Sequence, residues 1–367
     1  MKWEFNTIFG EIKRAISGGN KETDNEVAKV TKYFASIEQI NTLKSEIEAI
    51  NAGNKQGDPV LLTDELNMLR QQNAVLTEAV EKVIERQLRE ILSQQGIFNP
   101  IDKYIKLKVG FPPFNFKLEK PPHLLVVSPR DRIESLREIT LHQNLSLEVK
   151  ESIEAEVDRL EVSSLVVELG GFAGTYPSFV TNEASLRYTT DTAAEEWLHQ
   201  YLTFKPLGFR YLLDLTSISP NYEIATINET LASMVSKEIG SIMYDKYYRQ
   251  HENDDTQSET TGSGFDFNHE MKEIRREVDK YLDQGEIEKA EEFMEQKRRY
   301  LASQGYHIRK LNQAYFAFHG TYADRPDSIS PIGLELKKLR SKSDSLKDFL
   351  ETAAAMSSRQ DLLMSVR

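Results

Sequence analysis

The sequence predicts an α+β fold that is mainly helical and carries a small sheet. Apolar residues recur at helical spacing over long stretches, first in 21–52 and 60–95. Short apolar runs near 123–128, 163–169 and 176–181 indicate strands. We therefore expect a helical core with a small sheet packed on it.

Composition and charge limit what this chain can be. Its 367 residues suffice for one large domain or two ordinary ones. A net charge of −12 argues against nucleic acid as a partner, because non-specific binding requires a basic surface. The chain has no cysteine, which excludes disulfides, thiolate ligands and cysteine nucleophiles. No apolar run is long enough to span a bilayer, and the N-terminus does not read as a signal peptide.

Residues 1–110 are predicted to form a helical hairpin region. A stretch rich in turn residues, 51–59, separates the two apolar stripes, so the helices should run antiparallel. The stripes pack either on the rest of the chain, the interpretation we prefer, or on a second copy or another partner through residues 21–95.

A proline-rich linker at 111–122 precedes a domain spanning 123–367. Paired prolines force extended backbone and break the helical pattern. In the domain, the pattern predicts helices at 130–138 and 146–160, and a tight glycine turn at 170–174.

The remainder of the chain is predicted to be helical apart from one polar stretch. Residues 251–264 have nothing to bury and are expected to form a mobile loop. The expected helical segments are 192–202, 221–247, 268–306 with a turn near Gly285 and a stop at Gly305, 310–319, and 333–366 as one or two helices.

Residues 195–199 read E-E-W-L-H, one letter away from the signature H-E-x-x-H. In that signature two histidines one helical turn apart hold a metal, and the glutamate after the first activates the metal-bound water. Here Glu195 occupies the first histidine position, Glu196 the position of the base and His199 that of the second histidine. Another carboxylate, Glu229, follows on a separate predicted helix.

On a helix, Glu195 and His199 project on one face with Cβ atoms about 5–6 Å apart. Glu196 lies beside them, so this apolar helix carries two adjacent carboxylates. Burying unpaired charge is costly, so these carboxylates need a partner. A metal ion would serve, and so would an arginine such as Arg187 or Arg210.

The helix with Glu229 presents a face of small residues, Ala232, Ser233, Ser236 and Gly240. Such a face lets a second helix approach closely. It would place Glu229 against that helix, as a third metal ligand requires.

These motifs resemble a bacterial family of gluzincin-like zinc metallopeptidases. Residues 192–208 and 228–240 are similar to its pattern A-H-E-W-x-H-x-Y-L-x-x-x-P-L-G followed by M-N-E-T-x-A-S. Three further segments are also similar: 124–131, 162–171 and 311–322. The resemblance covers roughly residues 120–367 and implies a zincin-like, gluzincin-type core. It also implies membrane association in bacteria for longer forms, through an anchor upstream of the helical hairpin.

Carried over position by position, the resemblance implies that His199 and Glu229 are metal ligands and that Glu196 is the general base. Glu195 departs from the family pattern. A carboxylate can bind zinc, but one histidine with two carboxylates shifts the preference toward manganese or iron. Two carboxylates also make the bound water less acidic. The expected cofactor is zinc, manganese or iron, or no metal if Glu195 abolishes binding.

Three aromatic-run residues are candidates for contacts with a substrate or transition state. Tyr315 and Tyr322 can polarise a carbonyl group, as tyrosines do in related metallopeptidases, and His319 can reach the site. Packing in the core is the alternative for each, and we prefer it.

Three functions are compatible with the sequence. The first is a metal-dependent peptidase acting on peptides or proteins, with Glu196 activating the metal-bound water. The second is a catalytically impaired peptidase-like protein with a binding or scaffolding role. The third is a metal-free hydrolase that uses Glu196 and Glu229 as an acid/base pair, although the sequence shows little sign of the polar sugar-binding cleft it requires.

Overall fold

The computed structural model describes residues 21–51, 55–100, 110–249, 265–326 and 328–367. The fold is α+β and mainly helical, as predicted. The loop predicted at 251–264 lies outside the described residues. The division of the chain at the proline-rich linker stays a prediction.

The described strands are β1 (Phe116–Leu118), β2 (His123–Pro129), β3 (Arg137–Leu141), β4 (Val162–Glu168), β5 (Gly171–Phe172) and β6 (Ser178–Val180). The described helices are α1 (Lys21–Asn51), α2 (Pro59–Gln94), α3 (Leu147–Asp158), α4 (Leu186–Leu202), α5 (Pro206–Leu215), α6 (Tyr222–Tyr247), α7 (Phe267–Asp283), α8 (Ile287–Ser303), α9 (Gln313–Gly320), α10 (Pro331–Lys342), α11 (Leu346–Ala354) and α12 (Arg359–Ser365).

The N-terminal hairpin packs on the rest of the chain. Helix α1 packs on α2, and α2 contacts α6 and β1. Buried Glu81 on α2 accepts hydrogen bonds from the backbone N–H of Leu118 (2.8 Å) and from Nζ of Lys117 (2.7 Å). The apolar stripes therefore join the main hydrophobic core, the interpretation that the sequence favoured. Contact with a second copy through residues 21–95 stays a prediction.

The strands form two sheets of three strands, whereas the sequence predicted one. In one sheet, β2 pairs antiparallel with both β3 and β4, in the order β3-β2-β4. In the other, β6 pairs parallel with β1 and antiparallel with β5. The strand predicted at 176–181 thus belongs to a different sheet from the other two. Its partner β1 lies within the proline-rich segment 111–122, where no strand was predicted.

The prediction of a helix at 130–138 is wrong. These residues form an irregular segment that leads into the edge strand β3. Arg137 lies opposite Val127, and the pairing continues to Leu141 opposite His123. Pairing with a strand of the buried sheet outweighs local helix propensity here, as tertiary context often does.

The C-terminal helices follow the predicted boundaries with one difference. Gly285 (φ 74°) and Gly305 (φ 91°) end α7 and α8 in the left-handed conformation that glycine adopts readily. The tail forms three helices instead of one or two, because Ser345 and Ser358 each cap the start of a new helix.

Helices α4 and α6 form the centre of the molecule and pack directly on each other. Ala232, Ser236 and Gly240 on α6 lie in this contact region with little or no exposure. A Cβ atom on Gly240 would lie 1.8 Å from Oδ1 of Asp191 on α4. The small-residue face of α6 therefore allows the close approach that the sequence predicted.

None of the helices in the described ranges combines the length and the apolarity needed to cross a membrane.

Replacing Gly240 with Ala should destabilise the protein by about 1 kcal/mol. Displacing Asp191 costs about 1–3 kcal/mol, which exceeds the gain of about 1 kcal/mol in helix propensity. In an Asp191→Ala background the same change should stabilise the protein, because the obstacle is gone. Urea denaturation of the four proteins measures both effects, with Ser241→Ala on the same helix as the control. Stabilisation in both backgrounds would contradict the close approach.

Candidate metal centre

Helix α4 is held in one orientation by contacts on its buried face. Ser185 caps its N-terminus by accepting the N–H of Tyr188. The indole Nε1 of Trp197 donates a hydrogen bond to the carbonyl oxygen of Pro112 (2.7 Å), and its ring stacks on Phe114. With Trp197 and Leu198 buried in the core, Glu195 and His199 meet Glu229 of α6.

Three side chains converge between the two helices. Glu195, His199 and Glu229 each offer a ligand atom, and these atoms lie within 4.8 Å of one another. Nε2 of His199 lies 3.5 Å from Oε2 of Glu229. This group can hold a metal ion. In the described part of the chain no arginine pairs with Glu195, and Arg187 instead lies over the ring of Tyr244.

Two residues of α6 that flank Glu229 in the chain organise this centre. Oδ1 of Asn228 lies 3.1 Å from Nδ1 of His199, which directs Nε2 of the ring toward Glu229. The hydroxyl of Thr230 donates to the carbonyl oxygen of Thr321 (3.0 Å) and accepts the N–H of Ala323 (2.9 Å). Thr230 thereby fixes the segment on both sides of Tyr322.

The carboxylate of Glu229 is hydrogen-bonded on several sides. The hydroxyl of Tyr211, on α5, donates to Oε1 of Glu229 at 2.5 Å. Tyr322 also donates its hydroxyl to this carboxylate. Burial raises the pKa of Glu229, but His199 and the two hydroxyls outweigh burial and hold the pKa below its usual range.

His199, Glu195 and Glu196 have raised pKa values and therefore retain protons at higher pH than usual. Burial opposes a charge on His199, but the carboxylates of Glu229, Glu196 and Glu195 outweigh it and raise the pKa to about 10. Burial is the main cause that raises the pKa of Glu195 to about 7 and that of Glu196 to about 8. Near neutral pH the site therefore holds a charged imidazole and partly protonated carboxyl groups.

Glu196 lies beneath the strand β5. Its carboxylate accepts the backbone N–H of Ala173. A Cβ atom on Gly171 would lie 2.2 Å from its Oε1, so this position has room only for glycine. The sequence suggested a simple tight turn here, whereas the structure places the turn against the predicted general base.

A cavity of about 340 Å³ opens over the centre. Glu196, His199, Glu229 and Tyr322 line it, together with Tyr211. Glu195 is not among the lining residues, although it is only half-buried.

The other two candidate contact residues, Tyr315 and His319, line a separate cavity of about 250 Å³. Their rings lie 4.3 Å apart, and Nη1 of Arg325 donates to Nδ1 of His319 at 3.1 Å. Burial and Arg325 lower the pKa of His319 to about 4. The structure therefore brings Tyr322 to the centre but not Tyr315 or His319.

Four further residues at the site were not predicted as functional: Glu138, Gly171, Tyr211 and Asn228. Asn228 adjoins Glu229 in the quoted motif, so its sequence position was a usable signal. Glu138 reaches the cavity from β3, whose first two residues fall at the end of the helix predicted at 130–138, and nothing in its local sequence marks it.

The chain matches no model of a known protein family, no curated protein and no solved structure. Its function must therefore be inferred from the resemblance of its motifs and from the geometry of the site.

Zinc should stabilise the protein more at pH 8.5 than at pH 6. The metal-free fold retains protons on His199, Glu195 and Glu196 because their pKa values are raised. Their contribution to stability is complete below the unfolded pKa values and is lost as the pH rises through about 7 to 10. Zinc must displace these protons, so its affinity should rise over the same range.

The measurement is the melting temperature with and without zinc across this pH range. Calorimetry in two buffers of different ionisation enthalpy should also detect proton release. A zinc-induced shift that shrinks as the pH rises would contradict the account.

Proposed function

We propose that the protein is a metal-dependent peptidase of the gluzincin type. Glu195, His199 and Glu229 would hold the metal, and Glu196 would act as the general base. The observation that carries the proposal is the convergence of three ligand atoms within 4.8 Å between two packed helices, beside a cavity.

The donor set fits a divalent metal ion. Its members are buried or half-buried and contribute two carboxylates and an imidazole with a fixed orientation. Apart from His199, the basic group that acts most strongly on Glu195 is Lys237. A cation at the centre would replace the protons that Glu195 and His199 hold in the metal-free fold.

A zincin-like core and membership of the metallopeptidase family belong to this proposal. Two features support them. The helix with residues 195–199 packs on the helix with Glu229, and the edge strand β5 borders the cavity next to Glu196.

A bound divalent ion would supply an acidic water and polarise the scissile carbonyl group. Glu196 lines the cavity without belonging to the ligand group, so it is free to accept the proton of that water and pass it to the leaving nitrogen. Tyr322 lines the same cavity, and its hydroxyl would be free to donate to the carbonyl oxygen once a metal occupies the Glu229 oxygen to which it now donates. Asn228 and Tyr211 keep His199 and Glu229 oriented.

The second candidate is a catalytically impaired peptidase-like protein that keeps the cavity for binding. Glu195 favours it, because a third nearby carboxylate raises the cost of the charged, metal-free state and weakens activation of the water. Manganese or iron would suit the oxygen-rich set better than zinc. The two candidates differ in metal content and in turnover.

Replacing Glu196 with Gln should leave metal binding intact and remove hydrolysis. A positioned general base contributes about 10²–10⁴-fold to the rate. The measurements are the metal content after loading with zinc or manganese, and the cleavage of an unstructured peptide. His319→Ala, at the separate cavity, is the control and should keep both properties. Full metal content without cleavage in the wild type would favour the impaired protein.

Replacing Glu195 with His should tighten zinc binding by at least about tenfold, or ~1.4 kcal/mol. The change removes one negative charge from a crowded centre and creates two histidines and one glutamate, the ligand set of the resembled family. Glu195→Gln is the matched control, because it removes the charge without adding an imidazole. Equal and negligible zinc affinity in all three proteins would end the metal-site interpretation.

A further inference from the structure

Glu138 lines the cavity but is neither one of the proposed metal ligands nor the proposed general base. Strand β3 forms the edge of its sheet and borders the cavity that the centre also lines. Alternate residues of a strand share a face, and Leu136, Glu138 and Thr140 all line the cavity. Arg137 also borders the cavity, but alternation places its side chain on the opposite face from Glu138.

The carboxylate of Glu138 has no cationic partner among the described residues. Its hydrogen bond comes from the hydroxyl of Ser135 at 3.2 Å. Burial, and then repulsion from Glu229, raise its pKa to about 7. Asp214 differs, because its Oδ1 accepts the N–H of Asn221 and thus closes the turn after α5. Glu138 is therefore the carboxylate on this wall that lacks an evident structural task.

We infer that Glu138 anchors the free α-amino group of a peptide substrate, which would make the protein an aminopeptidase. This inference rests on the proposed function. A substrate ammonium group would supply the positive charge that Glu138 lacks within the fold, in a charge-assisted hydrogen bond.

The position of Glu138 favours the α-amino group over a basic side chain. Glu138 lies close enough to Glu229 for the two carboxylates to repel each other. In a substrate whose first carbonyl carbon lies at the centre, only the Cα atom separates that carbon from the α-amino group. A lysine ammonium group stands at the end of a four-carbon stem, so it would lie farther from the centre than the α-amino group does.

The size and lining of the cavity also suit the end of a chain. Its volume of about 340 Å³ lies near the lower limit of ligand pockets, about 300–1,000 Å³. Apolar residues on its walls can receive the first side chain: Leu124, Leu136, Leu169, Phe172, Leu215 and Phe318. A terminal carboxylate would meet repulsion from Glu138 and Asp214.

The reaction is hydrolysis of the first peptide bond. Water adds its hydroxyl to the carbonyl carbon of the first residue, and the C–N bond to the second residue breaks. Glu196 transfers the proton of the water to the departing nitrogen. The products are one free amino acid and a peptide shorter by one residue.

Binding of three hydroxamates to the zinc-loaded protein tests the inference without requiring turnover. L-leucine hydroxamate has a free α-amino group, N-acetyl-L-leucine hydroxamate lacks it, and Nα-acetyl-L-lysine hydroxamate offers only a side-chain ammonium group. Calorimetry should show that the first binds about 10- to 100-fold more tightly than either acetylated compound. Glu138→Gln should remove this preference, whereas Glu119→Gln, an exposed glutamate on the segment after β1, should keep it.

Each outcome decides a separate point. Equal binding of the two leucine compounds by the wild type would overturn the anchor while the metal centre stands, and this comparison requires no variant to fold. Preference for the lysine compound would overturn the α-amino assignment. If none of the hydroxamates binds, the proposed function itself fails, and the aminopeptidase inference fails with it.

Discussion

The close packing of α4 on α6 is the constraint on which the site depends. It brings Glu195, His199 and Glu229 together in a region where unpaired charge is costly. The approach is possible because Gly240 leaves room for Asp191. The metal-free fold reduces this electrostatic cost by binding protons at the His199 imidazole and at the Glu195 carboxyl group, whose pKa values are both raised. A divalent cation would replace them, so metal affinity, pH dependence and stability are coupled through one contact between two helices.

The part of the site on these helices could be predicted from the sequence. Spacing along α4 placed Glu195 and His199 on one face, and the small residues of α6 indicated that Glu229 would meet them. Helical periodicity is local, so a single sequence reveals it. Asn228 and Thr230 could not be given roles, because their partners, His199 and the backbone beside Tyr322, lie far away in the chain.

The walls of the cavity could not be predicted for a related physical reason. Strand pairing is nonlocal, and a wrong helix assignment at 130–138 concealed the strand from which Glu138 reaches the cavity. The short strand β1 was concealed by the prolines around it, so one sheet was expected where two exist. Tyr315 and His319 belong to the same aromatic run as Tyr322, and the sequence favours packing for all three. Helix α9 borders both cavities, and only the fold separates Tyr315 and His319 from Tyr322.

The central claim is that Glu195, His199 and Glu229 bind a metal despite the glutamate at the first ligand position. X-ray diffraction from crystals of the zinc-loaded protein, collected at the zinc absorption edge, tests it most directly. We predict an anomalous peak between Nε2 of His199 and the carboxylates of Glu195 and Glu229. Zinc found only at surface carboxylates, with no peak between α4 and α6, would contradict it.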